Sequence, residues 1–432
     1  MSAKTVPLTI DELEPGMYVS KLDRPWLETP YLFQGFYIET LEDIRELAKH
    51  CQHVFVDNNR FDETMTATQS FPAPVRNRVK QTSATISRIV YLSKESETQT
   101  SNAKPIDGKS TDDETTVRSK REFDQAASAY AQASTVVDEV IKRMDAGVAV
   151  DLAVIHQAVD PMIESVMRNQ DALVWLARMK TKDDYVFDHS LAASIWLIVF
   201  GKHLGFDKKT LQVVSMGGLF MDVGKTSMPK KLLTQKTPLN DEEMALMRKH
   251  VEAGVKIVQQ IKGVDSRVVD MIATHHERHN GTGYPNSLDG NQIPTFGRIA
   301  GIVDSYCAMT MNRPYAMAIS TYDAMMQINH LAGVEFQAEM VEQFVQAIGV
   351  FPVGTLVELS TGEVGVVIAQ NKVRRLRPKI MVLLDQDKKP LERFPTIDLR
   401  TQLVDKTNTE SLWITKGLPP GAYGIDPTNY YL

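Results

Sequence analysis

Cysteine is nearly absent. Cys51 and Cys307 are the only two in 432 residues, and one pair in so long a chain is no disulfide framework. Long apolar runs are missing as well. The most apolar helix-like stretch, Ala192 to Phe200, is about half the ~20 residues needed to span a bilayer. The opening segment, MSAKTVPLTIDELEPGMYVS, holds no apolar core of signal-peptide length. Positive charge is in deficit, with a formal net charge of -6. That argues against a binder of nucleic-acid polymers or anionic membranes, which needs a basic face; a local basic pocket for a phosphorylated ligand stays open. These deficits lead us to expect a cytosolic protein with no membrane span.

What is present suits a folded chain: 43% of residues are hydrophobic and 24% charged, the balance of a soluble globular protein with material for a core. At roughly 150 residues per domain the length allows two or three domains. Residues 1–62 read as a small α+β domain. Pro15-Gly16 carries turn chemistry, Met17-Tyr18-Val19 and His53 to Asp57 are strand-like, Asn58-Asn59 ends the second strand, and Ile44, Leu47 and Ala48 have helical spacing. Residues 63–122 are rich in Thr, Ser and Lys, and read mostly as a polar linker with one candidate ordered element at Ile86 to Leu92. From Phe123 to 349 the pattern is helical. Residues 350–432 switch to strand-like runs, at Gly354 to Leu359, Glu363 to Ala369 and Lys379 to Leu384, and form a small β appendage with a tail. The expected fold is mainly α, a helical bundle between two small flanking units.

Six ionisable residues stand out within the helical part. His189 shares a stripe with Ala192, Ala193 and Trp196. His250 follows a capping-box start at Asn240 and Glu243, on a stripe with Met247, Gly254, Ile257 and Ile261. His275 and His276 end a third helix after Val268, Val269 and Ile272, and Asp304 sits among Ile299, Ile302, Val303 and Tyr306. Asp222 follows Met221. A single histidine on a helix is usually a packed or surface residue. Several imidazoles and carboxylates on buried faces need one another, and a shared metal satisfies them. With no thiolate in the set, Fe, Mn or Zn fits better than a structural thiolate zinc site.

Met221-Asp222-Val223-Gly224-Lys225 resembles the H-D-x-G-K core of the HD superfamily. His275-His276-Glu277-Arg278-His279-Asn280-Gly281-Thr282-Gly283-Tyr284-Pro285 is similar to the H-H-E-x-x-[DN]-G-x-G-Y-P signature of HD-GYP cyclic di-GMP phosphodiesterases. Ile293-Pro294, Arg298-Ile299, Asp304 and Arg313-Pro314-Tyr315 extend the match over about residues 180–330. Residues 5–60, with Asp23-Arg24-Pro25-Trp26-Leu27, resemble the small domain that precedes many such domains. The resemblance implies an HD-type helical bundle holding two divalent metal ions, Fe, Mn or similar. His189, Asp222 and Asp304 would hold the first; Asp222 would bridge to a second held by His250, His275 and His276. It implies that Lys225, Tyr284 and Arg313 contact substrate phosphates, with Asp222 and Lys225 catalytic. The implied reaction opens cyclic di-GMP to linear pGpG, GMP or both, with the two cations activating water and neutralising phosphoryl charge. Gly281 and Gly283 would let backbone approach the site closely.

The pattern also departs from the family. Met221 replaces the HD histidine, and a thioether is a poor ligand for these metals, so the first metal site is expected to be weak. As a packed residue Met221 would sit near Met216 and Met228. Tyr185 stands one turn before His189, where members with three metals carry Glu, so no third metal is expected. Cys307 replaces a second Asp, and Ala316 and Met317 follow Arg313-Pro314-Tyr315 where a basic residue is usual. A second reading follows: a degenerate module that binds cyclic di-GMP or docks a diguanylate cyclase domain without hydrolysis. A third is hydrolysis of a different cyclic dinucleotide. His203, read as a surface residue near the Gly205 helix stop, and His156, His279 and His330, which lack partners by spacing, are discounted as ligands, and Arg374, Arg375, Arg377 and Lys379 read as a solvated basic face.

Overall fold

The computed structural model describes residues 5–23, 36–38, 41–61, 111–148, 150–179, 185–371, 375–401 and 412–425. The N-terminal unit contains β1 (Thr5–Thr9), β2 (Met17–Leu22), β3 (Phe36–Tyr37), α1 (Leu41–His50) and β4 (His53–Phe61). Its antiparallel sheet has the order β1-β4-β2-β3. Val19, Leu22, Leu47, Val54 and Val56 form the core between sheet and helix, as period-2 and helical spacing require. β4 runs past the expected stop at Asn58-Asn59, because two register shifts in its pairing with β2 carry the ladder on to Phe61 opposite Met17. Ladder pairing there outweighs local turn preference.

The segment Arg24 to Leu27, the candidate element Ile86 to Leu92 and most of the expected linker lie outside the described residues. The linker's last part does not. Helix α2 (Thr111–Asp145) begins well before the expected boundary at Phe123. Glu114, Arg118, Lys120, Arg121 and Glu122 are polar but strong helix formers, so they extend a helix that Ala126, Tyr130, Ala133 and Val137 anchor by burial.

The helical part continues with α3 (Leu152–Arg168), α4 (Gln170–Met179), α5 (Tyr185–His203), α6 (Lys208–Phe220), α7 (Lys230–Thr234), α8 (Asp241–Arg248), α9 (His250–Val258), α10 (Ser266–Thr274), α11 (Thr295–Thr310), α12 (Thr321–His330) and α13 (Ala338–Ile348). Every residue of α5 from Phe187 to Gly201 is buried, so α5 is the axis of the bundle. Trp196 meets the edge of Tyr306 on α11 at 5.3 Å, and Phe200 meets Phe344 on α13 at the same distance. No helix among the described residues is long and apolar enough to cross a membrane. The helix expected to run from Asn240 through His250 is two helices. Its capping box at Asn240 and Glu243 is present, but the chain bends at Lys249, whose N–H is shared between the Leu246 and Met247 carbonyls. His250 thereby becomes the first residue of α9.

The C-terminal unit is an antiparallel sheet of β5 (Leu356–Leu359), β6 (Val364–Ala369), β7 (Lys379–Leu384), β8 (Thr396–Asp398) and β9 (Ile414–Leu418), in the order β8-β7-β6-β5-β9. One face packs Leu356, Val364, Val366 and Leu418 with Trp175 of α4; the other packs Val357, Val367, Ile380 and Val382 with Phe351. The basic run is not simply a solvated face. Arg375 donates to the carbonyl of Gln346 on α13 at 2.9 Å, tying the sheet unit to the bundle, and Arg377 donates to the Leu399 carbonyl at 3.4 Å, while Arg374 lies outside the described residues.

Trp175 is 3% exposed and joins the sheet to the bundle. Trp175→Ala should cost about 3–5 kcal/mol, read as a lower denaturant midpoint, with unfolding of the C-terminal sheet separating from that of the bundle. An unchanged, single transition would show that the sheet does not depend on this contact.

Candidate metal centre

Five segments deliver the six candidate ligands to one buried place. His189 lies in the second turn of α5. Asp222 follows the end of α6 and opens the 3-10 turn Val223–Ser227. His250 opens α9, His275 caps α10 with His276 beside it, and Asp304 is mid-α11. Two ligand-like groups result: Asp222, His250, His275 and His276 in one, His189, Asp222 and Asp304 in the other. Within each group, one donor atom per residue lies within 4.8 Å of every other, and Asp222 belongs to both. His156, His203, His279 and His330 belong to neither; His203, for example, pairs with Gln343 at 3.1 Å.

The local reasons are specific. Gly224 has no Cβ, and one built there would collide with the His250 carbonyl. The close approach of the 3-10 turn to α9 therefore requires glycine in the Asp222-to-Lys225 motif. Glu277, 4% exposed, accepts from the Asn286 N–H at 2.7 Å and the Leu288 N–H at 3.0 Å, closing the loop that carries Tyr284. The expected close approach at Gly283 is real, but its partner is the chain itself: a Cβ would strike the backbone of His276, Glu277 and Arg278.

Hydrogen bonding sets the tautomers. His250 Nδ1 faces the Met247 carbonyl at 2.7 Å and His275 Nδ1 the Ile272 carbonyl at 2.8 Å. A carbonyl only accepts, so each Nδ1 carries the proton and each Nε2 presents a lone pair. Those two Nε2 atoms and Asp222 Oδ1 are buried with no hydrogen-bond partner, while they stand 3.4 and 3.9 Å from that oxygen. Buried acceptors facing one another without a donor are what a bound cation resolves. The donor set thus fits a divalent metal of the Fe, Mn or Zn type.

The second group is different. His189 Nε2 is bonded to Asp304 Oδ1 at 2.9 Å, and Asp222 Oδ2 accepts from Lys225 at 2.6 Å. Its donors already satisfy one another. Met221 is fully buried in the apolar core, which also holds Met216; Met228 is not among the residues of that core. Tyr185 places its hydroxyl 3.4 Å from His189 Nδ1, and Cys307 is buried in the same core.

Burial would raise the Asp222 carboxyl, but Lys225, His189 and His250 outweigh it and hold the group below the usual carboxylate range. Burial pushes His250 down to about 4 and lowers His275 and His276 too, so all three imidazoles are neutral near pH 7, as ligation requires.

Of the expected phosphate contacts, Lys225 is held at Asp222. Tyr284 stacks on His276, ring centroids 4.6 Å apart. Arg313 sits at the edge with its guanidinium 5.1 Å from the Tyr315 ring and its Nε unpartnered. One neighbour escaped the sequence reading: Arg248 covers the outer face of Tyr284 at 4.9 Å. An exposed arginine at the end of a short helix gives no sequence signal for that role.

The depressed imidazoles predict a pH dependence. Below about 6.5 the unfolded chain takes up protons that the folded site refuses. The stability of the chelator-treated protein should fall as pH drops from 6.5 to about 4, and His250→Gln should flatten that decline. Equal slopes for parent and variant would rule out a neutral, buried His250.

Three family models match the chain: a domain of unknown function over residues 5–155, an HD domain over 170–340, and a KOW domain associated with HD domain over 356–405. A cyclic di-GMP phosphodiesterase of Pseudomonas aeruginosa is 29% identical over 381 residues, covering 88% of this chain and 84% of its own length. A 3'3'-cGAMP-specific phosphodiesterase of Vibrio cholerae is 37% identical over 122 residues, 28% of this chain and 23% of its own. A solved HDG"Y"P protein from Bdellovibrio bacteriovorus aligns with 79% of this chain and 98% of its own, at 16% identity and a TM-score of 0.43. With its Asp222-to-Lys225 and His275-to-Pro285 motifs, the chain carries an HD domain over residues 170–340.

Proposed function

We propose that this protein is a metal-dependent phosphodiesterase that opens cyclic di-GMP to linear pGpG, GMP or both. The observation that carries the reading is the trio of buried, unpartnered donor atoms on Asp222, His250 and His275. A relative matching 88% of the chain and named a cyclic di-GMP phosphodiesterase supports the substrate.

In this reading His250, His275 and His276 would hold one divalent ion and His189 and Asp304 another, with Asp222 common to both groups. Bound divalent ions supply an activated water and neutralise charge on the phosphoryl group. The chain's own groups do the rest. Lys225, kept protonated by Asp222 despite its burial, presents a fixed positive charge where phosphoryl charge develops. Tyr284, held between His276 and Arg248, offers its hydroxyl to a phosphate, and Arg313 offers forked donors to a second.

A second reading rests on Met221 and on the mutual satisfaction of His189 and Asp304: a weak first metal site and a module that binds cyclic di-GMP, or docks a diguanylate cyclase domain, without turnover.

Two measurements decide between them. Protein loaded with Mn or Fe and given cyclic di-GMP should yield linear product by chromatography, and Asp222→Ala should abolish it; equal turnover by parent and variant would refute the assignment. Met221→His should raise metal content, by elemental analysis, together with the rate. A ten-fold gain corresponds to about 1.4 kcal/mol of transition-state stabilisation. Added metal without any hydrolysis would favour the binding module.

A further inference from the structure

A cavity of about 350 Å³ lies between the bundle and the C-terminal sheet. Its walls come from the end of α4 (Arg178), the first turns of α5 (Tyr185, Asp188, Trp196), the segment after α11 (Asn312) and β5 (Leu356). Protein interiors rarely leave gaps much larger than a water molecule. This one is at the small end of the range of ligand pockets, roughly 300–1,000 Å³, with room for a nucleoside but not for a whole cyclic dinucleotide.

Two features point to a ligand rather than an interdomain gap. Arg178 Nε is buried with no hydrogen-bond partner, although the Tyr306 hydroxyl supports the same guanidinium. A buried guanidinium that keeps one N–H unsatisfied is costly. The cavity also adjoins the candidate metal centre. Tyr185, in its wall, places its hydroxyl 3.4 Å from His189 Nδ1. Asn312 and Pro314, both in the wall, flank Arg313 in the chain.

We propose that this cavity is a guanine pocket that receives one base of the ligand whose phosphodiester lies at the metal centre; the link to that ligand rests on the proposed function. Tyr185, Trp196 and Leu356 offer flat and apolar surface to a ring. Arg178 offers paired N–H donors that match the O6 and N7 acceptors of guanine. Asp188 puts a carboxylate in the same wall, which is unfavourable to a free anion. Adenine presents an amino donor where guanine has O6, so it meets the guanidinium with the wrong edge.

The test begins with full-length, chelator-treated protein, titrated with guanosine and with adenosine by calorimetry. Guanosine should bind at least ten-fold more tightly. Arg178→Met, which keeps the apolar stem, should erase that preference. Arg178→Lys, which keeps the charge without the paired donors, should erase most of it; denaturation midpoints report whether each variant is folded. No guanosine binding, equal affinity for both nucleosides, or a preference that survives in both variants overturns the pocket. A second arm uses metal-loaded protein. Arg178→Met should raise KM for cyclic di-GMP at least ten-fold and leave hydrolysis of bis(p-nitrophenyl) phosphate, which has no base, unchanged. An unchanged KM overturns the pocket while leaving the phosphodiesterase reading intact. If the loaded parent hydrolyses neither diester, the phosphodiesterase reading fails and the guanosine titration still judges the pocket.

Discussion

A carboxylate taken fully out of water constrains the centre of this molecule. Asp222 is completely buried, and an isolated charge there would be prohibitively expensive. It survives because Lys225 donates to one oxygen at 2.6 Å and three imidazoles stand within 3.9 Å of its two oxygens. Each neighbour in turn is fixed from behind: His250 and His275 by helix carbonyls, His189 by Asp304 and Tyr185. The arrangement leaves acceptors aimed at one another, an unstable electrostatic state by itself and a strong attractor for a cation.

The scaffold reads as a device for making those approaches possible. α5 is buried on all sides, which places His189 rigidly, since nothing around it can give without opening the core. The bend at Lys249 and the missing side chain at Gly224 let α9 meet the Asp222 turn at backbone contact. The buried Glu277 does the same for the loop bearing Tyr284 by capturing two backbone N–H groups nine and eleven residues downstream. Charge is used locally even though the chain as a whole is acidic: Lys225, Arg248 and Arg313 give the site a positive lining.

The two ligand groups are not equivalent. Met221, a thioether where the family motif has an imidazole, is fully buried in the apolar core. The group left behind, His189 with Asp304, closes on itself by a hydrogen bond. Any ion entering must replace that bond, whereas His250 and His275 offer lone pairs that nothing else uses.

Sequence alone determined the helical middle, the sheets at either side and all six ligand candidates, because apolar periodicity reports which face of a helix is buried and ionisable groups on that face are rare enough to notice. The spaced motifs at Asp222 and at His275 to Pro285 pointed to the HD domain matched over residues 170–340. Tertiary structure decided what periodicity cannot encode. The break at Lys249 comes from a shared hydrogen bond. The continuation of β4 to Phe61 comes from pairing with Met17. The early start of α2 shows a polar run taken into a helix by the buried stripe that follows it. Arg375 and Arg377, read as solvated, bind carbonyls brought near only by the fold. Arg248 over Tyr284 and Arg178 in the interdomain cavity belong to the same class. Their roles depend on partners dozens of residues away in sequence, and long-range proximity leaves no local pattern in a single chain.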